Sequence, residues 1–430
     1  MASKTKKKRK NLPLLAFIEA KKKEAQEVAI FWDGLRQYMQ AQAKAEEEGL
    51  ITTLYRCPAG TVLDEVVRLF WEKTDIPLNM VYWMTLTLLS GYLTQTDVSI
   101  ILGDQVIRPN LWTLILGESG IGKTWSIQTI TKAMEEDVCV HEPSYQSKAA
   151  FVMDLNQNPE ARKAVVVIDE FGQVLKLIHD RNTDLKQAFL LAYDGQIEHT
   201  TKKEGKIVVP DVAISILAAT VLSVFHQVAR PEDLLDGLMQ RFLLVEARMH
   251  ERRLENWPYI VSEQDLWPVK KACKEFVERV QTCKKLKPTP EAIEVWKKFY
   301  CSYWNPDLES HYKRYMFVAL KLAAIFYYLV DGIDGEINHR HMGWALRALY
   351  DALSSLYNFM ANKGFSHWTD MANRVEKTIL LHPKATVRDL LRRLNLRKAH
   401  LEVACRILVQ RGSMSPQKFK ELFGKEVWNA

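Results

Sequence analysis

The sequence predicts an α/β fold built on an open, largely parallel sheet, and three stretches predict it. The first is Leu111–Leu116, a short apolar run leading into Gly117-Glu118-Ser119-Gly120-Ile121-Gly122-Lys123-Thr124 and then a helical Ser126–Met134. The second is Ala164–Ile168, rich in β-branched residues, which runs straight into Asp169-Glu170. The third is Val212–Ala219, which ends at Thr220. Strands without polar alternation belong in a sheet covered by helices on both faces. Such a sheet binds its ligand at the C-terminal edge of the strands, where all three runs deliver polar groups.

The loop after Leu116 fits G-x-x-x-x-G-K-[ST], and each residue type in it has a task. Glycines allow the tight backbone that points N–H groups at phosphate oxygens. The helix behind them contributes its positive N-terminal end. Lys123 can reach the β- and γ-phosphates, and the Thr124 hydroxyl can ligate Mg²⁺. The loop therefore predicts a nucleotide site with ATP and Mg²⁺ as cofactors.

At 430 residues the chain has room for two or three domains, and its apolar and charged fractions of 47% and 26% are those of a globular protein. No apolar run is long enough for a transmembrane helix, and Leu12–Ile18 is too brief for a secretory signal, so no membrane partner is expected. Six scattered cysteines (Cys57, Cys139, Cys273, Cys283, Cys301, Cys405) include no C-x-x-C pair, which suits a reducing cytoplasm. The net charge of +7 is unevenly spread. Residues 1–23 hold nine Lys/Arg against one acid, and 384–430 hold eleven against four, so the middle is acidic. Basic ends on an acidic body suggest contact with a polyanion, although the N-terminal tail could equally be a solvated leader.

In chain order, Met1–Lys10 is too charged to fold alone. It resembles a nuclear-localisation patch as much as a nucleic-acid-binding arm. Leu14–Glu48 reads as one or two exposed helices, so residues 1–60 form a basic tail and helical N-terminal region. Thr61 is a candidate N-cap for Val62–Lys73, and Asn79–Leu93 is a further apolar helix. Together these predict a helical subdomain ahead of the nucleotide site. Val98–Leu102 and Leu111–Leu116 read as strands around the Gly103-Asp104 turn. Leu185–Tyr193 is helical, and Gln196–Thr201 with Lys206–Val209 forms a hairpin whose tip carries Lys202, Lys203 and Lys206.

Of the acidic pair, Asp169 would hold the Mg²⁺ shell and Glu170 would act as general base toward water. Thr220 either senses the γ-phosphate or caps the next helix. Arg241, ahead of the strand Phe242–Val245, is either an arginine finger reaching a neighbouring subunit or an ordinary surface ion pair. Lys321, in the apolar helix His311–Leu329, is a second phosphate sensor or a snorkelling surface lysine.

The order of phosphate loop, VVVIDEF, AYDG with a basic hairpin, SILAAT and GLMQRF resembles a family of phage and mobile-element ATPases. That family is similar to superfamily 3 and primase-associated helicases of the AAA+ type. The resemblance covers roughly residues 60–250 well and the last third loosely. It implies an AAA+ (ASCE) P-loop core over 61–250. Lys123 and Thr124 would then be the Walker A contacts, Asp169 and Glu170 Walker B, and Thr220 sensor 1. Lys202, Lys203 and Lys206 would form a pore hairpin, and Arg241 the finger. Two features depart from the pattern: sensor 1 is Thr rather than Asn, and no primase motif lies upstream.

Residues 251–365 read as a helical subdomain rich in aromatics. Over 366–430, Met371–Leu381, Thr386–Leu394 and Arg397–Gln410 read as a winged helix-turn-helix. Arg388, Arg392, Arg393, Arg397 and Lys398 cluster there, as a solvated basic face or, in the favoured reading, as contacts to DNA phosphates. The whole suggests a DNA helicase acting as a ring, a hexamer by the resemblance, with DNA and a separate primase or replication initiator as partners. The alternative is a nucleotide-switched initiator or helicase loader that does not unwind.

Overall fold

The fold is taken from a computed structural model. It describes residues 26, 28–41, 57–134, 138–142, 147–180, 183–201, 205–229, 233, 237–247, 259–303, 309–362, 367–383, 385–410 and 413–424. The chain divides into two compact units, residues 1–302 with 314–352, and residues 303–313 with 353–430. The stretch 251–365 is thus not a unit of its own.

The first unit is built on five parallel strands in the order β4 (Val140–His141), β5 (Val165–Ile168), β8 (Ser215–Val221), β3 (Trp112–Gly117) and β9 (Phe242–Glu246). The three apolar runs of the sequence are the central strands β3 and β8 and their neighbour β5. All six residues of β3 are buried, as an unbroken apolar run requires. Pairing sets Leu116 opposite Thr220 and Ile168 opposite Ala218. The residues after β3, β5 and β8 therefore emerge together at one edge of the sheet.

Among the described residues three helices precede the sheet in the chain. Helix α1 spans 28–41 and is not exposed all round: Val28, Leu35 and Met39 are buried at helical spacing. In α2 (Val62–Lys73), the Thr61 side chain accepts from the Asp64 N–H, as its cap position predicts.

Helix α3 (Leu78–Gln95) corrects one expectation. It is no part of a separate subdomain but a layer of the core, buried except at Asn79 and Gln95. Its hydroxyls meet the sheet directly, Thr87 with Thr113 at 2.7 Å and Ser90 with Ser215 at 2.9 Å. At Gly91 the helix comes so close that a Cβ would lie 2.1 Å from Val165 Cγ2. A helix apolar on all sides needs burial on all sides, and the sheet supplies one of them.

A second correction concerns β1 (Ser99–Leu102). It does not run beside β3. It pairs antiparallel with β2 (Gln105–Ile107) across the Gly103 turn and parallel with β10 (Lys285–Pro288). With β11 (Glu336–Ile337) these make a four-stranded sheet that the sequence does not reveal. The reason is local: in Lys285-Leu286-Lys287-Pro288 only Leu286 is buried, which leaves little apolar pattern to read.

Helices α4 (Lys123–Met134) and α5 (Lys148–Gln157) precede β5, and α6 (Phe171–Asp180) and α7 (Thr183–Asp194) follow it. The hairpin comes next, β6 (Gln196–Thr201) antiparallel to β7 (Gly205–Pro210). It leaves and rejoins the core at the N-terminal edge of β8, opposite the loop that follows β3. There Lys163 bridges Asp97 and Asp211, each at 2.6 Å, and Arg108 pairs with the same two carboxylates. Burial raises the Asp211 pKa, but Lys163 and Arg108 outweigh it and hold the carboxyl below its ordinary range. Beyond β8 the helices are α8 (Leu222–Val228), α9 (Glu263–Thr282), α10 (Pro290–Tyr303), α11 (Glu309–Val330) and α12 (His339–Asn362).

The second unit contains α13 (His367–Leu381), α14 (Val387–Leu394), α15 (Lys398–Gln410) and α16 (Pro416–Phe423). Their shared core includes Val375, Leu390, Leu401, Cys405 and Phe419. Burial pushes the Cys405 thiol up to about 12, as suits a packing residue. Helix α14 starts in a capping box of Thr386 and Asp389 and ends at Asn395 in the left-handed region (φ 53°). The winged reading is corrected here. Among the described residues of 367–424 there is no strand, and the place of a wing is taken by α16, capped by Ser415 and closed by Gly424.

Candidate nucleotide-binding site

The loop between β3 and α4 has the backbone that its glycines predict. Gly120 and Gly122 lie at φ +82° and +86°, where a side chain would be strained. At Gly122 a Cβ would also fall 2.7 Å from Ile76 Cδ1, so Ile76 would have to shift to admit one. Helix α4 starts at Lys123, which puts its first free N–H groups at the loop.

Lys123 folds back over the loop, donating from Nζ to the carbonyls of Gly117 (3.1 Å) and Glu118 (2.7 Å). Partial burial lowers its pKa despite the nearby Asp169 and Glu118. The Thr124 hydroxyl donates to Asp169 Oδ2 at 2.8 Å. Glu170, next to it, accepts from the Gln173 amide.

These groups border a cavity of about 510 Å³ that also takes in Thr220. Thr220 does not cap the helix that follows: Val221 holds that position, ahead of α8. Register with Leu116 places Thr220 between the loop strand and the acidic strand. So the structure brings together Gly117 to Thr124, Asp169, Glu170 and Thr220. Hydroxyl and carboxylate oxygens side by side are the hard ligands that Mg²⁺ prefers. Among the described residues no three His, Cys, Asp or Glu side chains converge on a metal position. A cation between Thr124 and Asp169 would therefore complete its shell with phosphate and water.

The cavity wall also holds Trp125, Gln173 and Lys176, none of which stands out in the sequence. A signal does exist for two of them. Gln173 and Lys176 follow Glu170 at intervals of three, the spacing of one helix face.

Other sequence candidates fall elsewhere. Arg241 sits at the N-terminal edge of β9, the edge opposite its own phosphate loop. It is 8% exposed, donates to the Gly237 carbonyl at 2.8 Å and to Asp194 at 3.0 Å, and packs 5.1 Å from the Tyr193 ring centre. Its burial sets it apart from the ordinary surface ion pair that was one of the two sequence readings. To reach a neighbour it must first leave these partners. Lys321 is corrected outright. It is buried against the same edge, bonded to Asn110 and Tyr193, and neither senses phosphate in this chain nor snorkels to solvent.

On the hairpin, Lys206 is exposed and pairs with Glu198 at 2.8 Å, while Lys202 and Lys203 lie outside the described residues. In the second unit Arg388, Arg392, Arg393, Arg397 and Lys398 are all exposed, along α14, the turn after it and the first residue of α15. Arg393 lies 3.2 Å from His382 Nε2. Among the described residues no helix is long and apolar enough to cross a membrane. No family model matches this chain, and no curated protein is significantly similar to it.

Proposed function

We propose that this chain is an ATPase of the superfamily 3-like AAA+ type, coupling hydrolysis to movement on DNA as the replicative helicase of a phage or mobile element. The observation that carries the ATPase reading is the convergence of Lys123, Thr124, Asp169, Glu170 and Thr220 on one cavity at the C-terminal edge of a parallel sheet. Loop N–H groups and Lys123 would hold the phosphates, and Thr124 with Asp169 would hold Mg²⁺, which neutralises phosphate charge when bound. Glu170 accepts a proton from water as the water oxygen bonds to the γ-phosphorus. The bond to the β-phosphate oxygen breaks, and ADP and inorganic phosphate leave. Thr220 would mark the state of the γ-phosphate.

The coupling reading rests on β8. This strand runs from Thr220 at the nucleotide edge to the hairpin root at the other, so one rigid element joins the two. Lys202, Lys203 and Lys206 would grip a single strand in the pore of a cytoplasmic ring, a hexamer by the family resemblance. The exposed arginines Arg392, Arg393 and Arg397 would hold DNA phosphates, and a separate primase or initiator would act beside it.

One observation favours the second reading, a nucleotide-switched initiator or loader that does not unwind: Arg241 is buried in an intrachain pair rather than presented to a neighbour. Forked-duplex unwinding separates the two. Replacing Lys202, Lys203 and Lys206 with Ala should abolish unwinding and lower the salt slope of single-strand binding by about 0.7 for each phosphate no longer neutralised. Basal ATP turnover should survive. Normal unwinding by that variant would remove the pore assignment, and no unwinding by the native chain on any fork would favour the loader.

A further inference from the structure

We infer that Lys176 binds the γ-phosphate of the nucleotide from within the same chain, an assignment that rests on the ATP-site reading above. Helix α6 begins directly after Glu170 and is two-faced. Phe171, Val174, Leu175 and Ile178 are buried, while Gln173 and Lys176 are exposed and line the cavity. Glu170, just ahead of the helix, and Gln173 and Lys176 within it thus fall along one side of the site.

The other charges in the cavity already have partners. Asp169 accepts from Thr124, Glu170 from Gln173, and the Lys123 ammonium is held by two loop carbonyls. Among the described residues no hydrogen bond or ion pair engages Lys176. It lines the cavity, and with it the wall holds two cations against two carboxylates.

Position selects the phosphate. Lys176 stands one helical turn beyond Gly172, where a Cβ would lie 2.9 Å from Val224 and 3.1 Å from the Thr220 hydroxyl. All four residues line the cavity just past the acidic pair. Loop N–H groups take the α- and β-phosphates, so the phosphate chain runs from the loop toward Asp169 and Glu170. Only a triphosphate extends far enough to meet a cation beyond that pair. Among the described residues no arginine lines the cavity, and Arg241 lies at the opposite edge of the sheet.

The experiment measures binding of ATP and ADP to the full chain in EDTA, by displacement of a fluorescent ADP analogue. Lys176→Ala should weaken ATP by about tenfold or more, the worth of one hydrogen bond to a charged group. ADP affinity should stay unchanged, which also shows that the variant is folded. Lys176→Arg should keep the preference for ATP, and Lys123→Ala should weaken both nucleotides. Equal weakening of ATP and ADP by Lys176→Ala, or no change in either, overturns the assignment while leaving the site intact. A native chain that binds neither nucleotide overturns the site reading and this assignment with it.

Discussion

Thr124 and Asp169 are joined hydroxyl to carboxylate at 2.8 Å, a bond that ties the first turn of α4 to the end of β5. The two residues are 45 positions apart in the chain, yet they form one oxygen pair at the mouth of the cavity. If that pair is the Mg²⁺ seat, its effects should vanish when the metal is removed. ATP affinity of the native chain should rise on adding Mg²⁺, whereas Thr124→Val and Asp169→Asn should lose most of that rise. In EDTA all three should bind ATP alike. An Asp169→Asn chain that keeps the full Mg²⁺ response would sink the assignment.

Lys123 should make ATP binding sensitive to alkaline pH. Burial lowers its pKa from the ordinary 10.5, so the ammonium is lost earlier on raising pH than from a free lysine. The charged form is the one that holds phosphate. Binding should therefore be full at neutral pH and fall as pH rises through the lowered pKa, before 10.5 is reached. Lys123→Arg, whose guanidinium stays protonated throughout, should show a flat profile whatever its absolute affinity. A native profile that stays flat to pH 10.5 would contradict the burial of this ammonium.

Two glycines should respond to alanine with opposite signs. At Gly91 a Cβ meets Val165 Cγ2 at 2.1 Å between α3 and β5, so Gly91→Ala should cost on the order of 1–3 kcal/mol. At Gly34, exposed in α1, nothing lies within 4 Å of the added carbon. Gly34→Ala should stabilise by about 0.5–1 kcal/mol through helix propensity. Urea unfolding of the full chain followed by circular dichroism checks both. A harmless Gly91→Ala would mean that α3 does not lie on the sheet as closely as this.

Arg241 should behave as a buried structural group before it behaves as anything else. Arg241→Ala removes bonds to Gly237 and Asp194 and the stack on Tyr193, and should cost about 1–3 kcal/mol. Asp194 is 57% exposed, so Asp194→Asn should cost less than about 1 kcal/mol. If Arg241→Ala instead melts like the native chain and loses hydrolysis, the finger reading regains ground. Recovery of activity on mixing it with Glu170→Gln subunits would then establish action across an interface.

By itself the sequence determined the candidate nucleotide site and the strands that build it. A phosphate loop needs its glycines, lysine and hydroxyl contiguous, so Gly117 to Thr124 announce themselves in one line of residues. Strands buried on both faces must be apolar without interruption, and β3, β5 and β8 are legible for that reason. The cap at Thr61 acts over three residues and was equally readable.

What only the tertiary structure decided depends on residues distant in the chain. That α3 lies on the sheet turns on Gly91 meeting Val165, and no local pattern reports such a meeting. Strand β1 pairs with β10, far along the chain, rather than with the nearby β3, and β10 shows little apolar alternation that could announce it. Arg241 and Lys321 read as exposed cations, a finger or surface pair and a sensor or snorkelling lysine, since charge in a sequence says nothing about burial. Only folding brought Asp194, Tyr193 and Asn110 around them. Lys176 escaped notice for the converse reason: an ordinary helical lysine becomes part of a site only when the turn before it carries the acidic pair to the same cavity.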